Sequence, residues 1–67
     1  MGDANAQYQL GLMYQMGKEY EQDFEKAVRW YTLAAKQGHV LAQFNLGLMY
    51  HKGNGIPQNY EAAVKWY

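Results

Sequence analysis

Two kinds of segment alternate along the chain, and both carry apolar residues at helical spacing. The apolar residues of the first segment recur every three or four positions, as one face of an α-helix requires: Ala6, Leu10, Met13 and Tyr14. The second segment has a broader apolar face: Phe24, Ala27, Val28, Tyr31, Ala34 and Ala35. The pattern predicts two paired helices, with the Leu10 face of the first turned toward the second.

Polar and glycine residues mark the ends of these helices. Asp3 and Asp23 precede the two apolar patterns, where a carboxylate can accept the free amide protons of a first helical turn. Gly17 and Gly38 follow them, at the position of a left-handed C-terminal cap. These signals predict one helix between Asp3 and Gly17 and another between Asp23 and Gly38.

The same plan recurs after 36 residues. When the sequence is shifted by 36, 15 of the 31 compared positions are identical and no gap is needed. The second unit therefore predicts a helix from about His39 to His51, a loop over 52–58 that contains Pro57, and a helix from Asn59 onward. We predict a single all-α repeat domain over 1–67, with repeat 1 at 3–38 and a truncated repeat 2 at 39–67. Because just under two units are present, we expect a fragment of a longer array.

Gly11 and Gly47 occupy the same interior position of the first helix in each repeat. A glycine inside a helix costs about 1 kcal/mol relative to alanine. Its recurrence favours the hypothesis that the missing Cβ allows close contact with the paired helix or its aromatic side chains.

Composition excludes several classes of function. Six basic and six acidic side chains give a formal charge of zero, which does not favour binding to nucleic acid or to an anionic membrane. The chain has no cysteine and no serine, which removes disulfides, thiolate zinc sites, cysteine nucleophiles and serine triads. No apolar run approaches the ~20 residues needed to span a bilayer.

The remaining polar residues suggest no catalytic, cofactor or metal site. His39 and His51 are the two histidines, and a zinc site needs three or four ligands. We therefore expect them to be solvated or to cap helices. A small acidic cluster is explained by a solvated loop and a helix start: Glu19, Glu21, Asp23 and Glu25.

The repeat resembles the Sel-one-like repeat family (SLR), which is related to the tetratricopeptide repeat. Repeat 1 carries the family pattern at Ala6, Tyr8, Leu10-Gly11, Met13-Tyr14, Gly17, Asp23, Lys26-Ala27, Trp30-Tyr31, Ala34-Ala35 and Gln37-Gly38. Repeat 2 carries it at Ala42, Phe44, Leu46-Gly47, Met49-Tyr50, Gly53, Gly55-Ile56, Asn59, Ala63 and Trp66-Tyr67. Glu19 and Tyr20 replace the Gly-Val of the family in the first loop, which puts the conformation of that loop in doubt.

The resemblance implies an α-solenoid of antiparallel helix pairs in a right-handed superhelix, with a partner protein or peptide bound on its concave surface. One face of each first helix, about 200° to 260° around the wheel from Leu10 or Leu46, would line that surface. The implied partner-binding residues are Asn5, Gln9, Leu12, Met16, Leu41, Asn45, Leu48 and Lys52. Gln9 and Asn45 suit hydrogen bonds to a peptide backbone. An alternative remains open, in which Leu12 and Leu48 pack between repeats.

The sequence thus favours a non-catalytic protein–protein interaction scaffold or adaptor. The alternative is part of a repeat-containing hydrolase that acts on peptide or cell-wall substrates, for which only carboxylates would be available as catalytic groups. A repeat buries its apolar face against neighbours, and about three units are normally needed for stability. We expect the isolated chain either to be weakly stable or to self-associate through its exposed repeat ends, with helix exchange as one route.

Overall fold

The chain folds into consecutive antiparallel helices. The computed structural model describes residues 3–53 and 58–66. For Tyr60, it describes the backbone alone. Within these ranges lie α1 (Ala4–Met16), α2 (Phe24–Lys36), α3 (Val40–Lys52) and α4 (Tyr60–Trp66), and no strand. The all-α prediction is therefore confirmed. Lys52 belongs to α3 rather than to the predicted loop, and residues 54–57, Pro57 among them, lie outside the described part.

The predicted N-terminal caps form through side-chain oxygens. Asp3 Oδ1 accepts from the amide of Asn5 at 2.9 Å, and Asp23 Oδ1 accepts from the amide of Lys26 at 3.2 Å. Asn59 Oδ1 caps α4 by accepting from the amide of Ala62 at 3.0 Å. Each bond satisfies an amide that has no partner inside its own helix, so these residues fix where the helices begin.

Left-handed glycines end the helices of repeat 1. Gly17 closes α1 with φ of 69°, and its amide donates to the carbonyl of Met13. At the junction between the repeats, Gly38 has φ of 86°, and the next amide, that of His39, donates to the carbonyl of Ala34 at 3.2 Å. This is a Schellman turn, which reverses the chain into α3 within three residues.

The loops between paired helices are anchored in the same way in both repeats. The amide of Asp23 donates to the carbonyl of Tyr14, and the amide of Asn59 donates to that of Tyr50, both at 2.9 Å. Gln22 Nε2 likewise donates to the carbonyl of Gln15 at 2.8 Å. Gln58 makes the equivalent bond to His51, also at 2.8 Å. The first loop therefore keeps the anchors of the second despite its departure at Glu19 and Tyr20.

The core lies where α2 packs against both α1 and α3. Its buried members come from α2 and α3: Ala27, Val28, Tyr31, Ala34, Ala35, Ala42, Leu46 and Met49. The alanines of α2 allow the neighbouring helices to approach, and the large buried side chains fill the space between them. α4 in turn packs against α3, with Ala63 buried.

The Leu10 face of α1 was expected to pack against α2, but α1 packs against α2 through a different face. Ala6 is exposed and Leu10 and Met13 are only half-buried, whereas the equivalent Ala42 and Leu46 of α3 are buried in the core. In α3 this face therefore packs toward repeat 1, and within repeat 1 the pairing of α1 with α2 runs through Gly11 and Tyr8 instead. The prediction of the pairing face was wrong because a solenoid helix has two apolar faces.

Gly11 is in close contact with Tyr31, as the recurring glycine suggested. A Cβ atom built on Gly11 would lie 2.6 Å from both Cδ1 and Cε1 of the Tyr31 ring. Carbon atoms in contact are normally separated by about 3.5 to 4.0 Å. The missing side chain thus allows α1 and α2 to pack with the ring of Tyr31 against the α1 backbone.

Candidate interaction surface

The eight predicted partner-binding residues are all accessible to some degree. On α1, Asn5, Gln9 and Met16 are exposed, Met16 by 63%, and Leu12 is half-buried. On α3, Leu41 and Lys52 are exposed, and Asn45 and Leu48 are half-buried. Leu12 also packs partly against the core. The two alternatives for Leu12 are therefore compatible, since one side of the residue contacts the core while another remains accessible.

A depression of about 400 Å³ lies on α1 and the loop that follows it. Its lining consists of Gln9, Leu12, Met13, Met16, Lys18 and Glu19. Three of these are predicted site residues, and three were missed. We call this the large depression. Its apolar lining comes from leucine and methionine side chains, and one cation and one carboxylate come from the loop.

A second depression of about 50 Å³ lies on α3. Its lining consists of Gln15, Asn45, Leu48, Met49 and Lys52. Four of these occupy the same repeat positions as Gln9, Leu12, Met13 and Met16 of the large depression. The fifth, Gln15, reaches in from α1. This small depression is thus the repeat-2 equivalent of the large one, and repeat 1 contributes to its wall.

Six of the eight predicted residues line one of the depressions, and Asn5 and Leu41 do not. Met13 and Met49 were missed because helical periodicity assigned them to a pairing face. Lys18 and Glu19 belong to a loop, where periodicity gives no signal. Met13 and Met49 occupy the same repeat position, and each lies one turn from a predicted site residue on its own helix. The repeat alignment and the helical spacing together could have identified them.

Asn45 and Gln9 differ in what their amides contact. The phenol of Tyr31 is buried, donates a hydrogen bond to Gln15 Oε1 and is also hydrogen-bonded by the Asn45 side chain. The pKa of Tyr31 is raised to about 12, mainly by burial; the Asn45 hydrogen bond opposes this rise in pKa and the electrostatic effect of Tyr8 adds to it. Asn45 is therefore part of the core network, whereas exposed Gln9 forms no side-chain hydrogen bond within the described residues.

His39 connects the two repeats and was not among the predicted site residues. Its Nδ1 accepts from the amide of Ala42 at 3.1 Å, so it caps α3 at the repeat position that Asp3 holds in α1. With Nδ1 as the acceptor, Nε2 carries the proton and donates to Asn5 Oδ1 at 3.1 Å. The ring also stacks on Tyr8, with centroids 4.7 Å apart. Asn5 thus helps to hold the repeats together.

Within residues 3–53 and 58–66, no group of three or more histidine, cysteine, aspartate or glutamate side chains could hold a metal ion. Over the same part of the chain, no helix combines the length and the apolar character needed to cross a bilayer.

Comparisons with known proteins point to one family. The profile of the Sel1 repeat matches residues 4–39 and 40–67. A Sel1 repeat protein from Oxalobacter formigenes is 48% identical, superposes with a TM-score of 0.96, and is matched over 98% of this chain and 27% of its own. The protein c5321, titled a protective antigen present in uropathogenic Escherichia coli strains displaying an SLR fold, is also 48% identical, with a TM-score of 0.93. That match covers 94% of this chain and 14% of c5321.

The chain therefore spans about a quarter of the first of these proteins and a seventh of the second. No curated protein matches it. The helical fold and the two repeats agree with the sequence-based expectation. Sel1 repeats are a helical repeat type that is typically used for protein interaction and is generally non-catalytic.

Proposed function

The chain belongs to the Sel1 repeat family, and from that premise we propose that it is a non-catalytic scaffold that binds a partner protein or peptide. The proposed surface is the face of α1 and α3 that carries the two depressions. One observation carries the proposal: the same four repeat positions line a depression in both repeats. A repeated depression suits a partner that extends across successive helices.

The chemistry of the large depression favours an apolar anchor from the partner. Its volume of about 400 Å³ lies within the range of about 300 to 1,000 Å³ typical of ligand pockets. Methionine side chains are flexible and polarizable, so Met13 and Met16 can adjust to the shape of an inserted side chain. Exposed Gln9 offers both a donor and an acceptor to the backbone beside that anchor.

The hydrolase alternative gains less support from this site. Of the described residues that line the large depression, Glu19 is the one carboxylate, and Lys18 lies next to it in sequence. Hydrolysis of a glycosidic bond by side-chain carboxylates generally uses two such groups. The lining is better suited to holding an apolar side chain than to transferring protons.

Photo-crosslinking in a lysate of the source organism tests the proposal. Met16→p-benzoylphenylalanine places a reactive group in the large depression, and Leu33→p-benzoylphenylalanine places the same group at an exposed position of α2 that lines neither depression. We expect the Met16 variant to capture one protein that the Leu33 variant does not. The same set of captured proteins from both variants would contradict binding at this face.

A further inference from the structure

The large depression has a charged rim on one side. Lys18 and Glu19 come from the loop between α1 and α2, and both residues are exposed. Within residues 3–53 and 58–66, neither side chain forms a hydrogen bond or an ion pair. The remaining lining residues carry no charge. Each of the two charges is therefore available to a partner that places an apolar side chain in the large depression.

The end of α1 offsets the charge of Lys18 but not that of Glu19. No basic residue lies in the last turn of α1, so the partial negative charge at that helix end is not balanced inside the helix. Lys18 comes directly after the cap Gly17, and its amide donates to the carbonyl of Met13 at 3.3 Å. A cation is stabilised at this helix end, whereas a carboxylate is not. The uncompensated charge on the rim is thus that of Glu19, which favours a cation from the partner.

Contacts on both sides of Glu19 hold its part of the loop in place. Before it, Gly17 closes α1 with φ of 69°. After it, the ring of Tyr20 stacks on the ring of Tyr14, with centroids 4.9 Å apart and an angle of 18° between the planes. Both contacts are made within repeat 1. A group that is held in position before binding loses less conformational entropy when its partner binds.

Glu19 also departs from the repeat pattern. Its equivalent in repeat 2 is Gly55. The first loop nevertheless keeps the anchors of the second, which are made by Gln22 and Asp23 and do not involve Glu19. The fold of the loop therefore does not require a carboxylate at this position. A role in selecting a partner accounts for a charge that the fold does not need.

We propose that the partner segment carries an arginine beside its apolar anchor, and that Glu19 is the residue that selects it. This inference rests on the proposed function. The planar guanidinium of arginine can donate two parallel hydrogen bonds to one carboxylate, which the ammonium of lysine cannot do. Met13 and Met16 contact the apolar side chain, and Glu19 binds the neighbouring cation at the rim. The ion pair contributes to specificity more than to total affinity.

Selection from a library of random peptides displayed on phage tests this inference. Peptides are selected on the wild-type protein, and those that lose affinity for Met16→Ala are retained as ligands of the large depression. We expect the retained peptides to carry an arginine next to an apolar residue. In one such peptide, replacement of the arginine by glutamine should weaken binding about 3- to 5-fold at low salt, the range that an exposed ion pair supports.

Two matched variants of the protein assign this preference to one carboxylate. Glu19→Gln removes the charge and keeps the size of the side chain, so it should bind the arginine and glutamine peptides equally well. Glu21→Gln removes the same charge from the same loop, at an exposed residue that does not line the depression. It should retain the preference of wild type for the arginine peptide.

Retained peptides without enrichment of arginine would overturn this inference and leave the proposed function intact. Enrichment of acidic residues beside the anchor would contradict it too, because selection would then belong to Lys18. A preference for arginine that survives in Glu19→Gln or disappears in Glu21→Gln would have the same consequence. If every selected peptide binds Met16→Ala as tightly as wild type, the proposed function fails, and this inference fails with it.

Discussion

Gly11→Leu is expected to lower the free energy of unfolding by at least ~3 kcal/mol. The Cβ alone would lie 2.6 Å from two ring atoms of Tyr31, and excess core volume costs ~1 to 3 kcal/mol even for smaller additions. The ring cannot move aside easily, because it is buried and its hydroxyl is bonded to Gln15. A chain of this length has a total stability of ~3 to 10 kcal/mol, so this loss is a large fraction of the total.

Gln9→Leu is the control for this substitution. It introduces the same side chain in the interior of the same helix, at an exposed position. A surface change of this kind normally alters stability by no more than ~0.5 kcal/mol. Urea denaturation followed by circular dichroism compares the two variants. Equal midpoints would show that the contact between Gly11 and Tyr31 does not constrain the packing of α1 on α2.

Raising the pH from 10 to 12 is expected to remove about 2 kcal/mol of stability through Tyr31 alone. Burial raises the pKa of its phenol from 10.0 to about 12 in the folded chain. The folded state therefore holds the proton more tightly than the unfolded state. This contribution is fully present below pH 10 and falls by about 1.4 kcal/mol per pH unit until the folded-state pKa is reached.

Tyr31→Phe isolates this effect from the titration of other groups. The variant loses the hydroxyl that bonds Gln15 and Asn45, so it should be less stable than wild type at neutral pH. The difference in unfolding free energy between the two proteins should be constant up to pH 10 and shrink above it. A difference that stays constant to pH 12 would mean that the phenol ionises as easily in the folded chain as in the unfolded one.

Local signals in the sequence were sufficient to predict the helices. The caps at Asp3 and Asp23 and the turn at Gly38 depend on one or two neighbouring residues, and all three form as expected. The contact at Gly11 was also predictable, because a glycine that recurs inside a helix needs a reason in packing. Such features depend on residue type and spacing, both of which the sequence contains.

The assignment of faces could not be settled by periodicity alone. Around α1, the face of Leu10 and the face that includes Tyr8 and Gly11 are both rich in small or apolar residues, and a hydrophobic pattern does not tell which neighbour each one meets. The solvent exposure of equivalent residues distinguishes the two faces. Leu46 of α3 is buried, whereas its equivalent Leu10 of α1 is half-buried.

Two polar roles also depended on tertiary contacts. Asn45 lies at the repeat position of Gln9, yet it bonds the phenol of Tyr31 from the preceding repeat. His39 caps α3 and bonds Asn5, a residue 34 positions earlier in the chain. Capping was one of the two roles expected for the histidines, and the equivalence of His39 with Asp3 at a shift of 36 was the signal for it at the start of α3. The contact with Asn5 follows from how the repeats stack, which no single repeat encodes.

The most direct test of the binding face is a calorimetric titration with the protein that crosslinks at Met16. The double variant Gln9→Ala/Met16→Ala removes an exposed amide and an exposed thioether from the large depression without touching the Tyr31 network. We expect its affinity to fall at least ~10-fold relative to wild type, because anchors in a pocket carry a large share of binding energy. Leu33→Ala should bind as wild type does. Equal affinities for all three proteins would contradict partner binding at this face.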